Sequence, residues 1–150
     1  MEPYDSVLVA KYMLSIAKEK NINLNVTKVQ KILYILYGYY LAHKDFQIIS
    51  ENPRAWPYGP VFPRSQKKVD YSNILPLNST EFDAIKNDKE LKDAIKSFID
   101  TYSKFSASQL SEWSHQEDGP WHKATQLDGF NWNTQIPNEY IKSYFKNITV

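Results

Sequence analysis

The sequence predicts a mainly α fold, a bundle of about six helices around one buried central helix, with a small β-hairpin-like excursion near residues 46–56. Three observations lead there. Apolar residues recur at three- and four-residue spacing along most of the chain, the period of an amphipathic helix. From Ile32 to Leu41 the pattern is apolar nearly all round, as expected of a helix enclosed by protein. Between Asp45 and Pro63, in contrast, Pro53, Pro57, Pro60 and Pro63 exclude a continuous helix.

Asp5 or Ser6 is placed to cap a first helix, along which Val7, Ala10, Met13, Leu14 and Ala17 form one stripe until Asn21. Asn25 or Thr27 caps the second helix. Its stripe of Val26, Val29, Leu33, Leu36 and Tyr40 is matched by Ile32, Ile35 and Tyr39 on the opposite side, which makes Val26 to Leu41 the central strut. In the connector, Phe46–Ile49 and Arg54–Trp56 have the composition of a small hairpin, marginal unless it packs on a body. Trp56-Pro57-Tyr58-Gly59-Pro60 then reads as a rigid bent loop in which Gly59 is free to take a positive φ.

A short helical turn is expected at Arg64–Lys68, followed by a polar loop and a long helical region from about Thr80 to Lys104 with a break at Asn87 and Asp88. Leu91, Ala94, Ile95, Phe98, Ile99 and Tyr102 are its apolar stripe. Ser106-Ala-Ser-Gln109 has the form of a capping box and opens a helix to about His115. Gly119-Pro120 ends that segment and supplies a proline for the first turn of a helix from Trp121 to Gln126. Pro137 starts a last helix, about residues 137–147, with Tyr140, Ile141, Tyr144 and Phe145 on one face. No internal repeat or linker interrupts the pattern, and residues 1–150 are expected to form a single domain.

Composition narrows the function. The chain has 150 residues, 42% hydrophobic and 15% aromatic with 11 tyrosines, and no cysteine. Disulfides, thiolate metal sites and cysteine nucleophiles are therefore excluded. A net charge of +1 provides no field to hold a polyanion, so nucleic acid is a disfavoured partner. Charge is uneven, with 10 Lys+Arg against 6 Asp+Glu in residues 1–75 and 8 against 11 in residues 76–150. The N-terminal segment lacks the pattern of a signal peptide, and the apolar window Val29–Ala42 is too short to span a bilayer and contains Lys31. The expected location is the cytoplasm, without membrane insertion.

Candidate chemistry is sparse. His43, His115 and His122 lack the spacing of metal ligands, and Gly119-Pro120 prevents a single helix from aligning the last two. His115 with Glu117 or Asp118 is the only acid/base grouping that suggests a hydrolase, and no nucleophile elbow or phosphate-cradling glycine loop accompanies it. No catalytic residue, cofactor or metal is assigned. Lys28, Lys31, Arg64, Lys67 and Lys68 lie near aromatics, yet they fit the polar arc of a folded surface better than a nucleic-acid-reading motif. The aromatic groups Trp56/Tyr58 and Trp113/Trp121 are either loop anchors in the core or a patch for a protein partner, since tryptophan and tyrosine dominate interface hot spots.

Three segments, in order, resemble the Panacea domain of SocA-like antitoxins, a family also met in GepA-like phage-associated proteins. The first is Leu24 to Ala42, with Lys28, Gln30, Lys31, Leu33, Tyr34 and Gly38 matching the family's Lys-Leu-Gln-Lys-Leu-Leu-Tyr run and its glycine. The second is Arg54-Ala-Trp56-Pro-Tyr58-Gly59-Pro60-Val-Phe62-Pro63, similar to Glu-Ala-Trp-x-Tyr-Gly-Pro-Val-x-Pro. The third is Ser106 to His115 followed by Pro120-Trp121-His-Lys-Ala124, similar to Leu-Ser-x-x-Thr-His and Pro-Trp-x-x-Ala. The resemblance covers about residues 5–127.

It implies a small helical antitoxin of a type II toxin-antitoxin system that neutralises a cognate protein toxin by direct contact and is not an enzyme. Some relatives act as adaptors that hand the toxin to a protease. A phage or mobile-element protein that binds a host factor is the alternative. Arg54 stands where an acidic residue is frequent, Tyr37 and Tyr39 replace the usual neighbours of Gly38, and Trp113-Ser114 alters the segment before His115. The surface expected to meet the partner comprises Trp56, Tyr58, Phe62, Arg64, Trp113, His115 and Trp121. Lys28, Gln30, Lys31, Leu33, Tyr34, Gly38, Gly59, Pro60 and Pro120 are expected to set the fold.

Overall fold

A computed structural model describes residues 2–147; Met1 and residues 148–150, the ends of the expected domain, lie outside the described residues. Helix α1 (Ser6–Glu19) starts where the Asp5 carboxylate accepts from the Val7 N–H at 3.0 Å, and it buries Val9, Tyr12, Met13 and Ile16. Helix α2 (Val26–Lys44) starts where the Asn25 side chain accepts from the Lys28 N–H at 2.9 Å. Asn21 and Asp45, at φ 56° and 51°, turn the chain out of these two helices through the left-handed region that Asn and Asp tolerate.

Every residue of α2 from Val29 to Gly38 is buried, which is the enclosure its all-round apolar pattern predicts. Helices α1, α5 (Lys89–Tyr102), α6 (Ala107–Ser114) and α8 (Asn138–Lys146) pack around it, together with strand β2 (Gly59–Val61). Each apolar side chain removed from water contributes roughly 1.5–3 kcal/mol before the entropic cost of ordering it. Burial of this one helix is thus the largest concentration of folding energy in the chain.

At the α2–α8 crossing Gly38 meets the ring of Phe145. A Cβ on Gly38 would lie 2.2 Å from Phe145 Cδ2, so the absence of a side chain is what lets the two helices approach. Phe145 then packs edge-on against Tyr34, ring centroids 5.4 Å apart. Farther along, the Tyr37 hydroxyl donates to Asn138 Oδ1 at 2.6 Å at the start of α8.

The β excursion differs in its pairing from the sequence expectation. Strand β1 (Arg54–Trp56) pairs antiparallel with β2, in the register Arg54↔Val61, Ala55↔Pro60 and Trp56↔Gly59. Phe46–Ile49 forms no hairpin with it. Tyr4 takes that segment instead, donating its N–H to Ile48 O at 2.7 Å and accepting from the Ser50 N–H at 2.9 Å. The reason is local: Pro57-Tyr58 is a two-residue connection and Gly59, at φ 118°, supplies the backbone that reverses the chain. Pro60, which has no N–H, faces Ala55, whose own N–H points the other way to Thr134 O at 2.8 Å. This ribbon rests on α2 and is flanked by residues 134–136, which supplies the body a two-stranded sheet needs.

Helix α3 (Pro63–Lys68) follows the ribbon directly. A 3-10 turn at Thr80–Phe82 leads into α4 (Asp83–Lys86), and the expected break at Asn87 and Asp88 separates it from α5, capped by the Asp88 carboxylate. The Ser106–Gln109 capping box is present in both directions, and Pro120 opens α7 (Pro120–Thr125). The described residues therefore hold eight α-helices, more than the expected six because short turns count as helices of their own; the mainly α class stands.

Gly38→Ala is expected to lower the thermal unfolding midpoint. Overpacking against Phe145 costs about 1–3 kcal/mol, against the ~1 kcal/mol that alanine gains over glycine in a helix. The loss shrinks in a Phe145→Leu background. An unchanged or higher midpoint by circular dichroism contradicts the close crossing.

Candidate partner-binding surface

The three motif segments converge beside the N-terminal half of α2. Gln30, fully inside, accepts from the Phe62 N–H at 2.8 Å and donates to Ser65 Oγ at 2.9 Å, so one buried amide clamps the exit of the ribbon to the start of α3. Removing it would leave a buried backbone donor without a partner. Lys28 reaches across to donate to Ser103 O at 3.0 Å, placing its charge at the negative C-terminal end of α5. Leu33 and Tyr34 fill the core; the Tyr34 hydroxyl is buried without a partner, and burial holds its ionisation well above the ordinary tyrosine value.

Lys31 lies beneath the Tyr58-Gly59-Pro60 turn. It is 2% exposed and its ammonium has one hydrogen bond, 3.4 Å long, to Pro60 O. Burial lowers its pKa from 10.5 to about 8. Gly59 lies against it, since a Cβ there would be 2.9 Å from Lys31 Cε and 2.6 Å from Ser114 Oγ. The glycine is needed twice, for its positive φ and for this space.

Over the turn stands a column of rings. His115, the C-cap of α6, stacks on Trp121 with centroids 3.9 Å apart and planes within 10°. Trp121 is buried to 9% exposure and donates its indole N–H to Trp56 O at 2.9 Å, tying α7 to β1. Trp132 continues the stack at 6.0 Å, and Phe130 meets Trp132 edge-on at 5.0 Å. Trp56 donates its own indole N–H to Asn133 Oδ1 at 3.1 Å. Burial lowers the His115 pKa, a hydrogen bond with the Tyr58 backbone opposes this, and the Lys31 charge adds to the lowering.

The outer rim of this face is apolar and open: Tyr58 is 77% exposed and Trp132 51%. Large aromatic rings left in water on a rigid support are the ordinary anchors of a protein interface. Trp56, Tyr58, His115 and Trp121, grouped from the sequence, do meet here. Trp113 does not share their ring contacts. It points across α6 to Tyr34, Tyr144 and Phe145, lining an open groove of about 670 Å³ with Tyr102 and the exposed Phe105. Phe62, expected at the surface, is fully buried against Tyr37, because as the residue before α3 it is drawn inward by the Gln30 clamp. Arg64 is exposed and forms a fork on Asp5, with Nε and one terminal nitrogen at 3.0 and 2.8 Å from the carboxylate oxygens, which holds that carboxyl below its usual range.

Phe130 and Trp132 lie outside the motifs and the helical stripes. Their signal is two large apolar rings after the Asp128-Gly129 turn in an otherwise polar loop, with no helical period to recruit them to a core. Among the described residues no His, Asp and Glu group has the arrangement to hold a metal ion, and no carboxylate pairs with His115. Glu117 and Asp118 are exposed, so the hydrolase grouping is not assembled. No helix of the described residues is long and apolar enough to cross a membrane.

Fold and surface together define a mainly helical domain that presents an aromatic face. The chain belongs to the antitoxin SocA-like, Panacea domain family, whose model matches residues 29–122, spanning the central helix, ribbon, α6 and the start of α7. It is also similar to antitoxin SocA of Caulobacter vibrioides (strain NA1000 / CB15N), 27% identical over 160 residues that cover 95% of this chain and 82% of that protein. No solved structure matches it.

Lys31 makes stability depend on pH with a definite sign. Its folded pKa of about 8 lies below the ordinary 10.5, so between these values the unfolded chain holds more protons and stability rises with pH. Tyr4, raised to about 12, and Tyr37 and Tyr40, raised further, act oppositely above about pH 10, where the unfolded phenols ionise first. Urea unfolding is expected to show stability rising from pH 8 toward 10 by up to ~1.4 kcal/mol per pH unit and then falling. Lys31→Met abolishes the rise and keeps the fall; parallel profiles for the two proteins would show that another group titrates.

Proposed function

We propose that this protein is an antitoxin that neutralises a cognate protein toxin by binding it directly, as the antitoxin half of a type II pair, without catalysing a reaction. The observation that carries the reading is the exposed aromatic face, built from the family's second and third motifs together with Trp132, which lies beyond them, on a chain similar to antitoxin SocA. Tyr58 and Trp132 are its exposed rings; Trp121, itself stacked on His115 and bonded to Trp56 O, stacks on Trp132. A ring already packed, as Trp132 is against Trp121 and Phe130, loses little side-chain freedom on binding, which is where affinity is otherwise spent.

Neutralisation by this route is stoichiometric. The toxin's harmful surface is covered for as long as the complex lasts. Degradation of the bound toxin by a protease, with this chain as adaptor, is a further step on the same contact. The alternative of a host factor as partner uses the same face and is separated by the identity of the protein that co-purifies. Residence in the cytoplasm follows from the toxin partner that this reading assigns.

Co-expression with the neighbouring gene product tests the reading. Growth is expected to be arrested by that product alone and restored by this chain, with both recovered in one complex. Tyr58→Ala and Trp132→Ala, both at exposed positions, are expected to shift the unfolding midpoint little. Each should weaken the complex by about 2 kcal/mol, near thirtyfold. A neighbour harmless by itself, or rescue untouched by the double variant, counts against the antitoxin role or this face respectively.

A further inference from the structure

A buried ammonium is tolerated only where opposite charge or several acceptors surround it. Lys31 has neither. Among the described residues no carboxylate forms an ion pair with it, and its three N–H donors share one carbonyl at 3.4 Å. Beside it stands a second unsatisfied group. His115 Nε2 is buried with no hydrogen-bond partner, while the ring is stacked on Trp121. Gly59 lies against Lys31 and against Ser114, the residue before His115, and Ser114 Oγ is itself satisfied by donating to Ser111 O at 2.8 Å.

We propose that Lys31 and His115 form a receptor, under the Tyr58-Gly59-Pro60 turn, for one carboxylate carried by the protein partner. The proposal rests on the antitoxin reading for the partner's identity and on the two unsatisfied groups for the chemistry. A carboxylate matches both. It gives Lys31 the counter-charge it lacks and offers an acceptor to His115 Nε2 once that nitrogen takes a proton from solvent. Phosphate would need more donors than the site presents, and an apolar side chain would leave both groups as they are. Admission requires the turn to shift at Tyr58 and Gly59, where one ring stands 77% exposed and the next residue has no side chain to displace. The aromatic face then supplies contact area and the buried pair supplies discrimination, because a partner lacking the acid leaves the lysine uncompensated.

An acidic side chain and the terminal carboxylate of a polypeptide share this chemistry, and small carboxylates distinguish them. Wild-type protein is titrated with N-acetylglutamic acid α-amide, with N-acetylglycine, and with chloride at matched ionic strength, following the Trp121 indole and His115 ring signals by NMR. The expected result is a saturable shift with a carboxylate and not with chloride, an upward move of the His115 pKa on binding, and loss of both in Lys31→Met. The tighter probe names the source. Shifts that are linear, equal to those from chloride, or retained in Lys31→Met overturn the receptor.

The same variant separates a binding role from a structural one. Lys31→Met keeps the volume and removes the buried charge, so its unfolding midpoint should be unchanged or higher while toxin affinity falls at least roughly thirtyfold. A lowered midpoint would make the lysine a pin for the turn and end the proposal. If wild-type protein neutralises nothing yet binds carboxylates through Lys31, the toxin assignment fails and the site stands.

Discussion

The enclosure of α2 is the constraint on which the rest of this molecule depends. A helix buried on every side has no polar arc on which to place Gln30 and Lys31, so their amide and ammonium must find partners inside the protein. The amide does so fully, and by doing so it decides where the ribbon ends and α3 begins. The ammonium does so poorly. Most of the architecture on this side of the helix is the consequence of burying two hydrophilic residues in consecutive positions, one satisfied and one not.

That difference separates a fold motif from a site. Gln30, Leu33 and Gly38 each explain themselves through contacts seen within the protein: a clamp, core volume and a close helix crossing. The Lys31 ammonium and His115 Nε2 do not. Core positions conventionally favour apolar side chains, and a lysine there gives up stability unless something outside the protein compensates it. The aromatic column and the turn above it stand where such compensation would arrive. Stacking of His115 on Trp121 and the indole bond from Trp121 to Trp56 tie three separate segments together.

The fold was legible in the sequence to the extent that periodicity and capping are local. The Asp5, Asn25 and Ser106 caps, the break before α5 and the proline start of α7 follow from residues within one turn of each other. Strand pairing is not legible in the sequence, because Phe46–Ile49 has the composition of a strand but bonds to Tyr4, more than forty residues away. The surface was half legible. Trp56, Tyr58, His115 and Trp121 carry family motifs, whereas Trp132 sits in a loop without period or motif and acquires meaning only from the ring it stacks on. Trp113 and Trp121 look alike in sequence but meet different partners, Tyr144 and Phe145 for the first and His115 and Trp132 for the second.

The dependence of α2 on α8 has a temporal side. Tyr37 and its partner Asn138 are separated by 101 positions, and Gly38 waits for Phe145 in the same way. At ribosomal rates of about 5–20 residues per second, some 5–20 s pass between synthesis of the central helix and arrival of the helix that covers it. During that interval the most apolar segment of the protein is open to chaperones, proteases and other nascent polypeptides. The order in which the helices are made thus leaves the central helix without its C-terminal cover until the last tenth of the chain has been added.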